Sequence, residues 1–101
     1  MKKEIRTYIG IATASEGNAQ EYQVGERHSF NLFLSQDAGS EQSLELAEIT
    51  ISNECWGEIE FKKTGVVSQE KALNSEDPFP SMYKHALENS SALLIYRDIE
   101  Q

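Results

Sequence analysis

The side chains best suited to chemistry are few and lie far apart along the sequence: Cys55, His28, His85, Glu58 and Glu60. A cysteine paired with a histidine can act as a nucleophile, and two nearby carboxylates can act as a general acid and base. A cysteine directly before Trp56 is more typical of a small packed hydrophobe, and alternating acids are typical of a solvated strand face. We therefore predict no catalytic residue and expect a protein that is not an enzyme.

Metal and cofactor sites are not predicted either. The sequence has no Cys-x-x-Cys or His-x-x-x-His spacing of the kind that holds a metal ion. Its six glycines form neither a dinucleotide-binding motif nor a phosphate-binding loop. We expect no metal and no cofactor.

The cysteine content and the N-terminal segment indicate a cytoplasmic protein. A single cysteine cannot form an internal disulfide, which fits a reducing compartment. Residues 1–6 are basic, but no hydrophobic signal region follows them. The longest apolar run, residues 92–96, is far too short to span a bilayer. We expect no membrane association.

The hydrophobic pattern predicts several strands in a single domain covering residues 1–101. Alternation with period two predicts strands at residues 4–14 and 21–35, as an antiparallel pair, and at residues 56–67 with a turn or bulge at 63–65. In residues 44–53 the apolar residues switch from even to odd positions. This switch is compatible with a bulge or with a helical turn, and we expect a strand at 47–52.

The second half of the chain predicts one helix and a closing strand. Residues 68–76 are expected to form a loop, and Asp77 with Pro78 is typical of a helix start. An apolar stripe at helical spacing predicts an amphipathic helix from about residue 78 to residue 89, through Phe79, Met82, Tyr83, Ala86 and Leu87. Residues 92–96 indicate a central strand buried on both sides.

The expected fold class is therefore α+β, with the order β-β-β-β-α-β. It consists of a mostly antiparallel sheet of about five strands with one helix packed on one face.

The charge balance favours a cationic partner. Seventeen acids and nine bases give a net charge of −8, which repels nucleic-acid phosphates and anionic lipids. We therefore expect no binding to nucleic acid or membrane. The alternative is that the acidity only keeps a small protein soluble.

The acids concentrate in residues 28–61, which we call the acidic segment. Its 34 residues contain no Lys or Arg and carry seven acids: Asp37, Glu41, Glu45, Glu48, Glu54, Glu58 and Glu60. Trp56 lies among them, and an exposed aromatic side chain within a charged rim is typical of a binding hot spot. We expect the partner to contact Glu58 and Glu60 first, with Trp56 as the anchor on the same strand face. Glu48, Glu54 and Asp37 come next. The alternative is that Trp56 packs in the core and the acids lie on two faces.

Several segments together resemble the small immunity proteins of bacterial toxin–immunity systems, including contact-dependent growth inhibition. The resemblance lies in Trp56-Gly57 before the acidic strand 58–61, in the late helix with Tyr83 and Ala86, and in the closing strand 93–96. It implies a bacterial cytoplasmic protein that neutralises a cognate toxin domain, often a basic nuclease, by tight binding. It assigns no individual residue a role.

The expected function is that of a non-enzymatic acidic inhibitor that binds and neutralises a cationic protein, most specifically an immunity protein against a toxin. Two alternatives stay open. One is a phage-type inhibitor that mimics nucleic acid. The other is a small enzyme or ligand-binding module in which Cys55, His28, Glu58 and Glu60 meet in one pocket.

Overall fold

A four-stranded antiparallel sheet forms the centre of the fold, in a computed structural model that describes residues 3–99. The strands are β1 (Lys3–Ala14), β2 (Arg27–Asp37), β3 (Trp56–Val67) and β4 (Ser91–Ile99). Their order in the sheet is β3-β1-β2-β4, and every neighbouring pair is antiparallel. The α+β class and the pairing of the first two strands are confirmed, whereas residues 3–99 form four strands rather than about five.

Among the described residues, three short helices cover the sheet: α1 (Leu44–Ser52), α2 (Gln69–Leu73) and α3 (Phe79–Asn89). α1 packs on the face that carries Tyr8, Phe30 and Leu32. α2 and α3 pack on the opposite face, around Ile5 and Phe33. The prediction of a single helix on one face is therefore wrong. No helix within residues 3–99 is long and apolar enough to cross a membrane.

The segment predicted as a strand at residues 47–52 belongs to α1. The shared period-two parity of Ala47, Ile49 and Ile51 favoured a strand. Local hydrogen bonding favours a helix instead, because the Ser43 hydroxyl caps it by accepting from the Leu46 N–H at 3.1 Å. A hydroxyl at this position satisfies one of the backbone donors that have no partner within the helix.

β4 lies at an edge of the sheet, so the prediction of a central strand is wrong. Its first half still reads as a continuous apolar run because both of its faces are covered. Leu93 and Ile95 face the core beneath α1, while Ala92 and Leu94 face the core beneath α3. The residues of an edge strand can therefore all be apolar, provided that other side chains cover both faces of the strand.

The predicted late helix is confirmed as α3, with two differences. Pro78 holds its N-cap position, so Asp77 is not the cap. Met82 and Tyr83 are buried as expected, but Leu87 is 47% exposed, because the contact with the sheet extends only across the middle of the apolar stripe. The preceding loop, residues 68–76, contains the short helix α2, which Ser68 caps through its hydroxyl.

Candidate partner-binding surface

All seven acids of the acidic segment are exposed. Two of them lie on α1, at Glu45 and Glu48, and Glu54 lies in the turn that follows it. The others lie at the end of β2, in the loop before α1 and at the start of β3: Asp37, Glu41, Glu58 and Glu60. The acidic segment therefore supplies side chains that a partner can reach.

Trp56 is not among the side chains that a partner can reach, so its predicted role as an exposed anchor is wrong. It is 1% exposed and belongs to the core beneath α1. Its Nε1–H donates to Gln20 Oε1 at 3.1 Å, which satisfies the polar edge of the indole. Its ring also meets the edge of the His28 ring, at 5.8 Å between centroids.

A bulge separates Trp56 from the acids that follow it. Ile11 pairs with Glu60, and Thr13 with Gly57, so two β3 residues lie opposite one β1 residue. Glu58 lies in this bulge with a φ of 44°. An extra residue shifts the alternation of side chains, which turns Trp56 toward the core and places Glu58 and Glu60 on the opposite face.

The turn or bulge predicted at residues 63–65 is also misplaced. β3 continues through these residues to Val67. The second irregularity lies between Ile9 and Gly10 of β1, and it leaves Lys62 unpaired in the register.

Glu58 and Glu60 do share one face, as predicted, but bases balance their charge. Arg27 approaches both carboxylates, at 3.9 Å from Glu58 and 3.5 Å from Glu60. Lys62 Nζ lies 3.0 Å from the second oxygen of Glu60. Arg27 reaches them across Thr13, to whose hydroxyl it also donates at 2.7 Å. Arg27 and Lys62 flank the acidic segment in the sequence, and the fold brings both beside Glu58 and Glu60. The two bases balance the charge of the two acids.

Within the acidic segment, the acids that have no ion pair among the described residues lie on and beside α1. Asp37 is paired with Lys3 at 2.7 Å, as Glu58 and Glu60 are with their own bases. Within residues 3–99, the remaining acids of the segment make no ion pair: Glu41, Glu45, Glu48 and Glu54. Four carboxylates on or beside α1 are therefore without an ion pair among the described residues 3–99.

The residues of the enzyme alternative do not form an open pocket. His28 is 1% exposed, and its Nδ1–H donates to the Tyr96 carbonyl at 2.8 Å. Its Nε2 lies 3.2 Å from Glu26 Oε1, and Tyr22 stacks on the ring at 4.1 Å. Both nitrogens are thus engaged inside the fold and cannot meet a substrate. Within residues 3–99, no cluster of His, Cys, Asp or Glu is arranged to hold a metal ion.

A polar cleft of about 370 Å³ lies between the end of α1, α3 and the β4 edge. Thr50, Glu54, His85 and Asn89 contribute to its walls. Glu54 and His85, which lie far apart in the sequence, both line it. None of Cys55, His28, Glu58 and Glu60 lines it, so it does not correspond to the pocket of the enzyme alternative.

Sequence reasoning missed two apolar side chains of the candidate surface, Leu46 and Ile49. Ile49 was placed in the predicted strand 47–52 and Leu46 just before it, so their position relative to the core was not predicted. The signal that identifies the helix is Ser43 followed by apolar residues at helical spacing, Leu44, Ala47 and Ile51. With the helix recognised, Leu46 and Ile49 fall outside the buried stripe.

In comparisons with known proteins, no family model, curated protein or solved structure matches this chain.

Proposed function

We propose that this protein is a non-enzymatic inhibitor that binds and neutralises a cationic protein, acting in the bacterial cytoplasm as an immunity protein against a cognate toxin domain. The single observation that carries the proposal is the group of glutamates on and beside α1 that make no ion pair with any residue in the described range 3–99: Glu41, Glu45, Glu48 and Glu54.

The physical argument concerns the rate of association. Complementary charge raises the rate at which two proteins meet and suppresses partners of the same sign. It also makes association sensitive to salt, because the Debye length falls from about 30 Å at 0.01 M to about 8 Å at 0.15 M. A surface whose glutamates are not ion-paired within residues 3–99 therefore favours a basic surface, such as that of a nuclease. Inhibition follows if the bound protein covers the partner's active site or the path to it.

The test begins with affinity capture from extracts of the source organism, with the intact chain as bait. We expect a retained protein that has a basic surface, elutes with salt and loses its activity when one equivalent of this chain is added. A bait variant with Glu45 and Glu48 changed to Lys controls for non-specific retention. A partner whose activity is unchanged by a saturating amount of the chain would contradict the proposal.

Two alternatives make different predictions for the same experiment. A nucleic-acid mimic would capture a nucleic-acid-binding protein, and DNA or RNA would compete with the chain for it. A ligand-binding module would instead use the polar cleft lined by Glu54, His85 and Asn89. Substituting His85 would then abolish function, whereas binding to a cationic protein through α1 leaves that substitution without effect.

A further inference from the structure

The outward face of α1 is apolar at its centre. Only Ala47 and Ile51 of this helix are buried. At about 100° per residue, Ile49 lies about 160° around the helix from each of them, so it points away from the sheet. Ile49 is 51% exposed, and Leu46, its neighbour one turn earlier, is 43% exposed. These two side chains form what we call the α1 apolar patch.

This arrangement is the reverse of an ordinary surface helix, which places polar side chains opposite its buried face. Single exposed apolar residues are common and need no explanation. Leu87 on α3 is such a case, since it is 47% exposed and lies between a base and an acid, Lys84 and Glu88, one turn away or less. The α1 apolar patch differs because two apolar side chains adjoin and every nearby charge on the helix has the same sign.

The rim of the patch is acidic. Glu45 lies one turn before Ile49 on the same side of the helix, and Glu48 lies beside it. α1 has no base in its last turn. The patch therefore combines an apolar centre with a rim of uncompensated negative charge. This composition favours a basic partner over a second copy of the chain, because two copies meeting through α1 would bring like charges together.

The patch is held in place by buried contacts at the start of α1. The Tyr8 side chain is fully buried, and its hydroxyl accepts from the Ser43 N–H at 2.9 Å and donates to Gln36 Oε1 at 2.6 Å. Gln36 in turn donates to the Glu41 carbonyl at 3.1 Å. A helix fixed in this way loses little conformational freedom when it binds.

We propose that α1 is the docking helix of this protein and inserts Leu46 and Ile49 into an apolar depression whose rim carries Lys or Arg. Side chains three apart on one helix face are the usual anchors when a helix docks into a groove. The acids Glu45 and Glu48 meet the basic rim. This inference rests on the proposed function and moves the anchor from Trp56 and β3, where the sequence placed it, to α1.

The test uses the intact ¹⁵N-labelled chain and three synthetic peptides of equal length. One places Leu at helical spacing and Lys at the other positions, so that it forms an amphipathic helix; one replaces its Leu with Ser, and one replaces its Lys with Glu. At an ionic strength of about 0.01 M, we expect the Lys–Leu peptide to shift the amide resonances of residues 44–54 most strongly. The Lys–Ser peptide should bind more weakly and with less localised shifts, and the Glu–Leu peptide should not bind.

Matched variants separate the apolar anchor from charge. Leu46→Ser together with Ile49→Ser should weaken binding of the Lys–Leu peptide by about tenfold or more, which is a difference of about 1.4 kcal/mol. Leu87→Ser, at a leucine of similar exposure on α3, should leave the affinity unchanged. Neither substitution should alter binding of the Lys–Ser peptide. Far-UV circular dichroism of each variant confirms that it is folded.

The contradictory outcomes are distinct. Strong binding of the Lys–Leu peptide with shifts outside residues 44–54, or equal losses in the α1 and Leu87 variants, would overturn the docking helix and leave the proposed function standing. Failure of both cationic peptides to bind at low salt would contradict the proposed function itself. Concentration-dependent shifts on α1 without any peptide would mean that a second copy occupies the patch, which also overturns the inference.

Discussion

Replacing Tyr8 with Phe removes a hydroxyl that ties the start of α1 to the sheet. The Tyr8 hydroxyl is buried, donates to Gln36 and accepts from the backbone N–H of Ser43, the N-cap residue of α1. Phenylalanine keeps the ring and its edge contact with Phe61. The substitution therefore tests the hydrogen bonds with little change in packing.

The expected loss follows from the two groups left without a partner. Each fully buried donor or acceptor that loses its partner costs about 1–3 kcal/mol. Ser43 is only half-buried, so water can replace part of its bond, whereas Gln36 Oε1 stays in a buried side chain. We expect Tyr8→Phe to lower the free energy of unfolding by about 2–3 kcal/mol.

Urea titration measures this loss. With a slope of about 1.5 kcal/mol per molar, the midpoint should fall by roughly 1.5 M. Tyr83→Phe is the control, because Tyr83 is also buried but its hydroxyl makes no hydrogen bond within residues 3–99, and it should change stability by less than about 0.5 kcal/mol. Amide exchange at Leu46 and Ala47 should accelerate in Tyr8→Phe alone. Equal stability of the two variants would refute the role assigned to Tyr8.

Three further substitutions test other parts of the structure. Gly10→Ala would press a Cβ against the Glu60 carbonyl oxygen, closer than real Cβ atoms come to backbone, so β3 must move, and we expect the free energy of unfolding to fall by about 1–3 kcal/mol, measured in a thermal melt. Met82→Ala should lower the free energy of unfolding by about 2–5 kcal/mol, whereas Leu87→Ala, at an exposed position, should lower it by less than about 1 kcal/mol. Urea titration measures both losses, and a larger loss for Leu87→Ala would show that α3 docks differently. Cys55→Ser should keep full partner inhibition in the activity assay, and a folded but inactive variant would argue for thiol chemistry.

The strands with period-two alternation were predictable because their patterns agree with their environment. β1 lies between two neighbours with a core on each face, and its alternation in residues 4–14 identified it correctly. The amphipathic stripe of α3 likewise identified a helix that packs through one face. The exposure of Leu87 was not predictable, because the width of a helix contact depends on the curvature and position of the sheet beneath it.

The failures have two physical causes. In residues 47–52, apolar residues at period two favoured a strand, while a local cap at Ser43 and packing of Ala47 and Ile51 selected a helix. At the start of β3, one extra residue at the Glu58 bulge reversed the alternation, which moved Trp56 into the core. The sequence also did not show that Glu58 and Glu60 are neutralised, because Arg27 comes close to them only through strand pairing.

The association rate with the captured partner tests the central claim most directly. Two double variants change the net charge equally: Glu45→Lys with Glu48→Lys on α1, and Glu70→Lys with Glu88→Lys on α2 and α3. Between about 0.01 M and 0.15 M salt, we predict that the α1 variant associates at least about tenfold more slowly than the other at low salt, and that the difference narrows as salt rises. Equal rates for the two variants across this range would contradict the claim that the acidic surface of α1 binds the partner.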